Sequence, residues 1–451
     1  MDLFQPICRH VIIPLWAIYE GTPYLKHLKY VNKSQYSNFD EIRKTQWKSL
    51  KKILDHAHKN TEFYRKQFDK RGIHPNDIKT WEDYLQVPFL TKDDVRTHNG
   101  RLFAPNFDKY AKFCTSGSTG IPIEGYRDKR CNEFKRACGL RSSLWSGYNL
   151  GERVYCLYGN PGDKLTWRVK LRRNLLTRER FLNTLDLSES SMMEFTDLLR
   201  KKPPSLLWGH AHNMYIFAKF LEKKGIDEIK PKGMYSAGMV LHDWEKKQVE
   251  KVFQCEFQDR YGCEEIGLIA AECKKQEGLH INTDDLYVEF IDKDGNPVDA
   301  GTPGQIVVTD LSNYVMPFIR YKMGDIGIPV NHRCSCGRTQ PLIERIEGRV
   351  ADFLITTEGK LISGISLTDH FGASIPGVAQ IQMVQEKVDL LTLNIVKDGD
   401  FNDNSVKKID DLVSTFFGKS MNFSCEFMDK IPQEPSGKYR FTICKIDNPL
   451  M

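Results

Sequence analysis

The sequence predicts an α/β fold: a large N-terminal α/β domain with a helical N-terminal segment and a small β unit, then a smaller α+β C-terminal domain. Three observations predict it. Residues 1 to about 110 read mainly as helix, short apolar runs alternate with helix-length amphipathic segments from Tyr110 onward, and after Gly348-Arg349 the pattern turns to strands around one helix. The boundary expected from that change divides the chain of 451 residues into residues 1–350 and 351–451, the second of an ordinary domain size.

The elements follow in order. Trp47, Leu50, Ile53, Leu54 and Ala57 repeat at helical spacing, and Asn60-Thr61-Glu62-Phe63-Tyr64 reads as a cap and the start of a second helix. Pro88 and Thr91-Lys92-Asp93-Asp94 punctuate this segment. Val154 to Tyr158 and Ser205 to Trp208 read as strands on either side of an amphipathic stretch, Met192 to Leu199. A strand, an Asp294-Gly295 turn and a second strand are expected over Tyr287 to Ile291 and Gln305 to Thr309. Beyond Arg349, strands are expected at Phe353 to Thr356, Gln380 to Val384 and Leu390 to Val396, and a helix at Val406 to Phe416. Lys397 to Asn404 is a polar turn.

Composition excludes a disordered tail: 40% of residues are hydrophobic, 11% aromatic and 27% charged. The formal charge of +6 is spread along the chain, with basic clusters at Lys48 to Lys52 and from Lys164 to Arg180 that read as solvated faces rather than nucleic-acid or membrane-surface contacts. The twelve cysteines are scattered, as in a reduced, cytoplasmic protein. The apolar run from Val11 to Ile18 is too short to span a bilayer and lacks signal-peptide flanks, which leaves at most peripheral membrane contact.

The chemistry begins at Thr115-Ser116-Gly117-Ser118-Thr119-Gly120. Two glycines interleaved with four hydroxyls let backbone N–H groups approach an oxyanion while the side chains add donors, which suits phosphate. It is not a Walker A loop, since Ile121 stands where that motif needs lysine. Three thiols and one imidazole form a second constellation, Cys273, His280, Cys334 and Cys336, the last two on a Gly337 turn. This donor set matches a closed tetrahedral zinc site, whose role is structural because no position stays open. Cys263 and His332 are substitute ligands in that reading.

Five segments, in one order, carry a resemblance to the adenylate-forming enzymes. They are the hydroxyl loop, Asp259-Arg260-Tyr261-Gly262-Cys263-Glu264-Glu265, Ile319-Arg320-Tyr321-Lys322-Met323-Gly324-Asp325, Gly348-Arg349 and Pro435-Ser436-Gly437-Lys438-Tyr439-Arg440. The chain is most similar to the phenylacetate-CoA ligase and CapK-type branch, a likeness supported by the segment around Asn60 to Arg65 and by Pro88-Phe89-Leu90-Thr91-Lys92.

The resemblance implies that ATP and Mg²⁺ activate a carboxylic acid through an acyl-adenylate, before transfer to coenzyme A or to an amine or hydroxyl acceptor, the latter in polysaccharide biosynthesis. By resemblance Lys438, on a mobile C-terminal domain, bridges carboxylate and α-phosphate, and Glu265 holds Mg²⁺. Asp325 accepts from the ribose hydroxyls, with Arg349 nearby. Tyr261 and Gly262 line the adenine site opposite Ser236, Ala237 and Gly238. Tyr158, Trp208 and His210 fall where the acid is bound. The branch also includes members with a zinc site. Two departures stand out: Pro122-Ile123-Glu124-Gly125 lacks the lysine that usually follows the phosphate loop, and Ala351 replaces the aspartate usual at the hinge. The competing expectation is a catalytically inactive nucleotide-binding partner of a biosynthetic complex.

Overall fold

The computed structural model describes residues 2–114, 123–158, 166–184, 186–349, 353–359, 361–363, 367, 370–371, 375–432 and 440–446. Its helical opening is built as the spacing requires. The helix Phe39–Asn60 buries Leu50, Ile53, Leu54 and Ala57 on one stripe, and Thr61 caps the next helix, Glu62–Arg71, by accepting from the Tyr64 N–H at 3.4 Å. Thr91 and Asp94 form a reciprocal capping box at the start of the helix Lys92–Thr97.

A hairpin follows, β1 (Tyr110–Cys114) antiparallel to β2 (Glu124–Asp128), with Cys114 opposite Glu124. The next strands are β3 (Val154–Tyr158), β4 (Glu179–Asn183), β5 (Leu206–Gly209), β6 (Gly233–Ser236) and β7 (Phe257–Gln258). They form a wholly parallel five-stranded sheet in the order β4-β3-β5-β6-β7. Near-continuous apolar runs such as Val154–Leu157 are what a parallel strand covered on both faces demands.

The chain then builds a seven-stranded antiparallel sheet from β8 (Arg260–Cys263), β9 (Gly267–Glu272), β10 (Leu279–Ile281), β11 (Leu286–Ile291), β12 (Gly304–Asp310), β13 (Tyr321–Val330) and β14 (Leu342–Arg349). One of its faces packs on the opening helices: Leu50, Tyr64 and Phe68 share a core with Ile306, Val308 and Tyr321. The expected strand, turn, strand unit is β11 and β12, one pair within this larger sheet.

The remaining strands are β15 (Phe353–Ile355), β16 (Leu361–Ser363), β17 (Val378–Lys387), β18 (Leu390–Lys397), β19 (Asn422–Phe427) and β20 (Thr442–Cys444). The last four form one sheet, ordered β19-β18-β17-β20, on which the helix Asp403–Phe417 lies. This segment has its own core, in which Ile381, Met383 and Leu393 meet Ile409, Leu412 and Phe417.

Candidate active site

The first wall of the site stands at the carboxyl ends of the parallel strands, where an open α/β sheet binds its ligands. Tyr158 ends β3, Gly209 ends β5 with His210 next, and Ser236 ends β6 with Ala237 and Gly238 next. The aromatic rings form a row. Tyr158 lies 4.8 Å from the His210 ring and 5.6 Å from Trp208, and Trp208 stacks on Tyr235 at 5.6 Å with an interplanar angle of 10°. Arg260 closes the row, its guanidinium 3.3 Å from the Tyr235 ring centroid. Of the paired histidines, His212 is tied into the scaffold by Glu245 at 2.9 Å, whereas His210 precedes the helix Ala211–Lys223 at the strand end. Gly209 is required here, because a Cβ would sit 2.7 Å from the Leu157 carbonyl oxygen.

The second wall is the head of the antiparallel sheet. Tyr261 on β8 donates its hydroxyl to Asp325 on β13 at 2.8 Å, and Tyr321 donates to Glu265 at 3.3 Å. The two motif segments, some sixty residues apart in sequence, are thereby joined. Arg349 pairs with Asp325 across β13 and β14, so its backbone lies beside that carboxylate's strand position. Arg127 on β2 donates to the Glu264 carbonyl and lies over the Phe113 ring at 4.3 Å, which docks the β1-β2 hairpin beside Glu265.

Beneath this wall are groups that motif reading does not single out. Lys135, from the helix Lys129–Trp145, is buried and contacts Asp285 at 2.8 Å, Asp310 at 2.9 Å and the Ile266 carbonyl at 2.7 Å. Burial alone favours the neutral amine, but the two aspartates outweigh it and keep Lys135 protonated. Ile266 follows Glu265 directly, so this ammonium anchors the backbone that carries the Glu265 side chain. The second group is Asp259, which accepts from the Ser236 hydroxyl at 2.6 Å and from the Arg260 N–H at 2.9 Å. Burial, reinforced by Glu272, pushes its carboxyl up to about 7.

Thr115 to Gly120 and Lys438 lie outside the described residues, as does the side chain of Arg349. Their flanks are ordered: β1 and β2 on either side of the hydroxyl loop, and Arg440, whose carbonyl accepts from Gln382 at 2.8 Å.

At the opposite end of β9 and β13 the four metal-type donors meet. Their ligand atoms all lie within 4.8 Å of one another. Cys273 Sγ is 3.6 Å from Cys334 Sγ, and Cys336 Sγ is 3.4 Å from His280 Nε2. Tetrahedral zinc would hold such pairs about 3.8 and 3.5 Å apart, so the donor set fits. Backbone N–H groups point at the sulfurs, Lys275 to Cys273 at 3.4 Å and Arg338 to Cys336 at 3.5 Å. Burial, with Arg338 and Arg141 nearby, lowers His280 to about 4 and keeps it a neutral ligand. Gln35, at the end of the helix Tyr24–Ser34, bonds Trp145 at 2.8 Å and Arg338 at 3.1 Å, tying the opening helices to the cluster. Cys263 and His332 do not join it: Cys263 is at the other end of the sheet on β8, and His332 contacts the Glu277 carbonyl at 3.0 Å.

The fold is that of adenylate-forming enzymes. The structure superposes on 2-hydroxyisobutyryl-CoA ligase in its postadenylation state, in complex with R3-HIB-AMP, with a TM-score of 0.74, 18% identity and 92% of each chain covered. Residues 354–445 match the CapK C-terminal domain family model. The chain is 25% identical to protein CapK of Staphylococcus aureus over 438 residues, 94% of this chain and 93% of that one. It is 26% identical to the phenylacetate-coenzyme A ligase of Thermus thermophilus over 326 residues, 70% of this chain and 72% of that one. The similarity to protein CapK therefore extends along nearly the whole chain, and that to phenylacetate-coenzyme A ligase along 70% of it.

Proposed function

We propose that this protein activates a carboxylic acid with ATP and then transfers the acyl group. The observation that carries the reading is the meeting of Tyr261, Glu265, Tyr321 and Asp325 at the head of one sheet, beside the aromatic strand ends. A carboxylate oxygen attacks the α-phosphorus, the bond to pyrophosphate breaks, and an acyl-adenylate forms. An acceptor then attacks the acyl carbon and AMP leaves.

In this reading Thr115 to Gly120 donate to the phosphates, and Lys438 neutralises the charge that gathers as two anions approach. Glu265 is the oxygen ligand for Mg²⁺, which supplies further neutralisation when bound. Asp325 accepts from the ribose, Arg349 assists it, and Tyr261 with Gly262 faces adenine across from Ser236, Ala237 and Gly238. Tyr158, Trp208 and His210 bound the acid. Residues 1–350 form the adenylation domain, and residues 351–451 a lid that brings Lys438 in for the first half-reaction and withdraws it for the second.

Coenzyme A is the acceptor that the ligase relatives support. The other acceptor in this proposal is an amine or hydroxyl of a glycan precursor, in cytoplasmic polysaccharide biosynthesis, which the CapK-type resemblance implies. The Cys273, His280, Cys334 and Cys336 cluster holds structural zinc. Acid-dependent exchange of labelled pyrophosphate into ATP, over aromatic, fatty and amino acids, tests the first step. Exchange with one acid class is expected, and nucleotide binding without exchange for any acid would favour an inactive binding partner. Thiolysis of the acyl-adenylate by coenzyme A, which gives an acyl-CoA thioester and AMP, or its capture by an amine, separates the acceptors.

A further inference from the structure

The helical stretch from Phe4 to Tyr19 is apolar on two opposite faces. One face is packed: Cys8, Ile13 and Ala17 are buried against Tyr24 and Leu176, with Phe4 and Trp16 at the edges. Its seat is fixed, since Cys8 Sγ contacts the Leu175 carbonyl at 3.0 Å and Arg178 holds Asp2 at 2.8 Å. The other face points to solvent. Leu3, Ile7, Val11, Leu15 and Ile18 are between 49% and 79% exposed and recur at steps of four, four, four and three.

In a regular helix a four-residue step drifts around the axis. Here the segment Cys8–Ile12 is a wider π turn, which reverses the drift and keeps these side chains on one stripe. A surface helix with only structural duties is polar on its outer face. Sequence reading of Val11 to Ile18 as merely a short apolar run does not account for this doubling.

The neighbouring element has the same character. The helix Trp167–Arg172 and the π turn Arg173–Thr177 lie beside the stretch, with Arg172 4.0 Å from Glu20. Trp167 is 70% exposed, and Val169 and Leu171 are also turned outward. Basic residues flank the apolar surface, Arg9 and Lys170 exposed and Arg172 partly so. Between Lys164 and Arg180 the sequence has seven Lys and Arg against one Glu.

We propose that this helix pair docks the protein on an anionic lipid surface. The stripe enters the headgroup and acyl boundary, Trp167 and Tyr19 sit at the interface, and Arg9, Lys170 and Arg172 reach the anionic headgroups along their aliphatic stems. Charge decides between occupants: across a pairing of two copies the same basic flanks would face each other and repel, whereas anionic headgroups complement them. No helix among the described residues is long and apolar enough to cross a membrane, so the contact is interfacial.

Co-sedimentation of the full chain with vesicles tests this. Binding is expected to vesicles containing phosphatidylglycerol, weakly or not to phosphatidylcholine alone, and to weaken as salt rises. The variant Ile7→Ser/Val11→Ser/Leu15→Ser should bind on the order of tenfold less. These side chains are exposed, so its unfolding transition should match that of the unsubstituted chain. Arg9→Gln/Lys170→Gln/Arg172→Gln should lose the preference for the anionic vesicles. Absence of wild-type binding, or undiminished binding by the serine variant, would overturn the proposal. So would a solution dimer that the serine variant dissociates, since a second copy would then cover the stripe.

Discussion

The strands β9 and β13 end in different chemistry at each pole. At one pole Glu265 precedes β9, and Asp325 lies early in β13; at the other Cys273 follows β9 and Cys334 follows β13. The first pole holds the Asp325 and Glu265 carboxylates, which accept from the Tyr261 and Tyr321 hydroxyls. The second is a closed set of four soft donors, sealed by Trp145 and Leu342. In the proposed function the first pole exchanges ligands and the second keeps one metal ion. The closed pole fixes strand register, and register sets where the open pole's carboxylates stand.

The comparison can be broken at its chemical end first. Replacement of Lys438 by Ala should lower acid-dependent pyrophosphate exchange by on the order of a hundredfold or more, with nucleotide binding largely kept. Exchange undiminished in that variant would remove the lysine from the mechanism.

Next in size is the anchor between the poles. Lys135→Met leaves Asp285 and Asp310 buried without their counter-charge and should cost about 3–5 kcal/mol in urea unfolding. A loss below about 1 kcal/mol would mean the aspartates are otherwise satisfied.

At the closed pole, Cys336→Ser should abolish stoichiometric zinc and cost at least about 3 kcal/mol at saturating metal. Exchange by the protein that remains folded should stay within about twofold, because the two poles are separated by the length of β9. A fall in exchange with no fall in stability would contradict a purely structural site.

The smallest effect is a pH slope. Asp259 keeps its proton up to about 7 in the folded state but only to about 4 when unfolded, so between these values the folded state binds more protons. Its contribution is fully present below about pH 4 and is lost as pH rises through 7, with a slope of about 1 kcal/mol per pH unit. Asp259→Asn should flatten that part of the stability profile; an unchanged slope would assign the titration elsewhere.

Much of this was legible in the sequence wherever a signal is local. The Leu50 to Ala57 stripe, the Thr61 cap, Val154 to Tyr158 and the β11-β12 pair rest on periodicity and turn chemistry that need no tertiary partner. The grouping of Cys273, His280, Cys334 and Cys336 was readable from donor type. Lys135 was not singled out because its partners lie on strands more than a hundred residues downstream. One signal was present: Cys131, Lys135 and Cys138 share a helix face with Arg141 and Ser142, which sets a lysine among buried positions. The Tyr235, Trp208 and Arg260 stack depends on β5, β6 and β8 lying together, an arrangement that no local pattern encodes. The solvent-facing stripe of Phe4 to Tyr19 was masked by its own buried face, since both are apolar.

The central claim is that a carboxylate oxygen of the substrate becomes bonded to the α-phosphorus of ATP. With the acid that supports exchange, labelled with ¹⁸O in its carboxylate, and hydroxylamine as acceptor, mass spectrometry of the products tests it directly. The account predicts AMP carrying one ¹⁸O and unlabelled pyrophosphate. ADP with ¹⁸O in inorganic phosphate, or AMP without label, would contradict it.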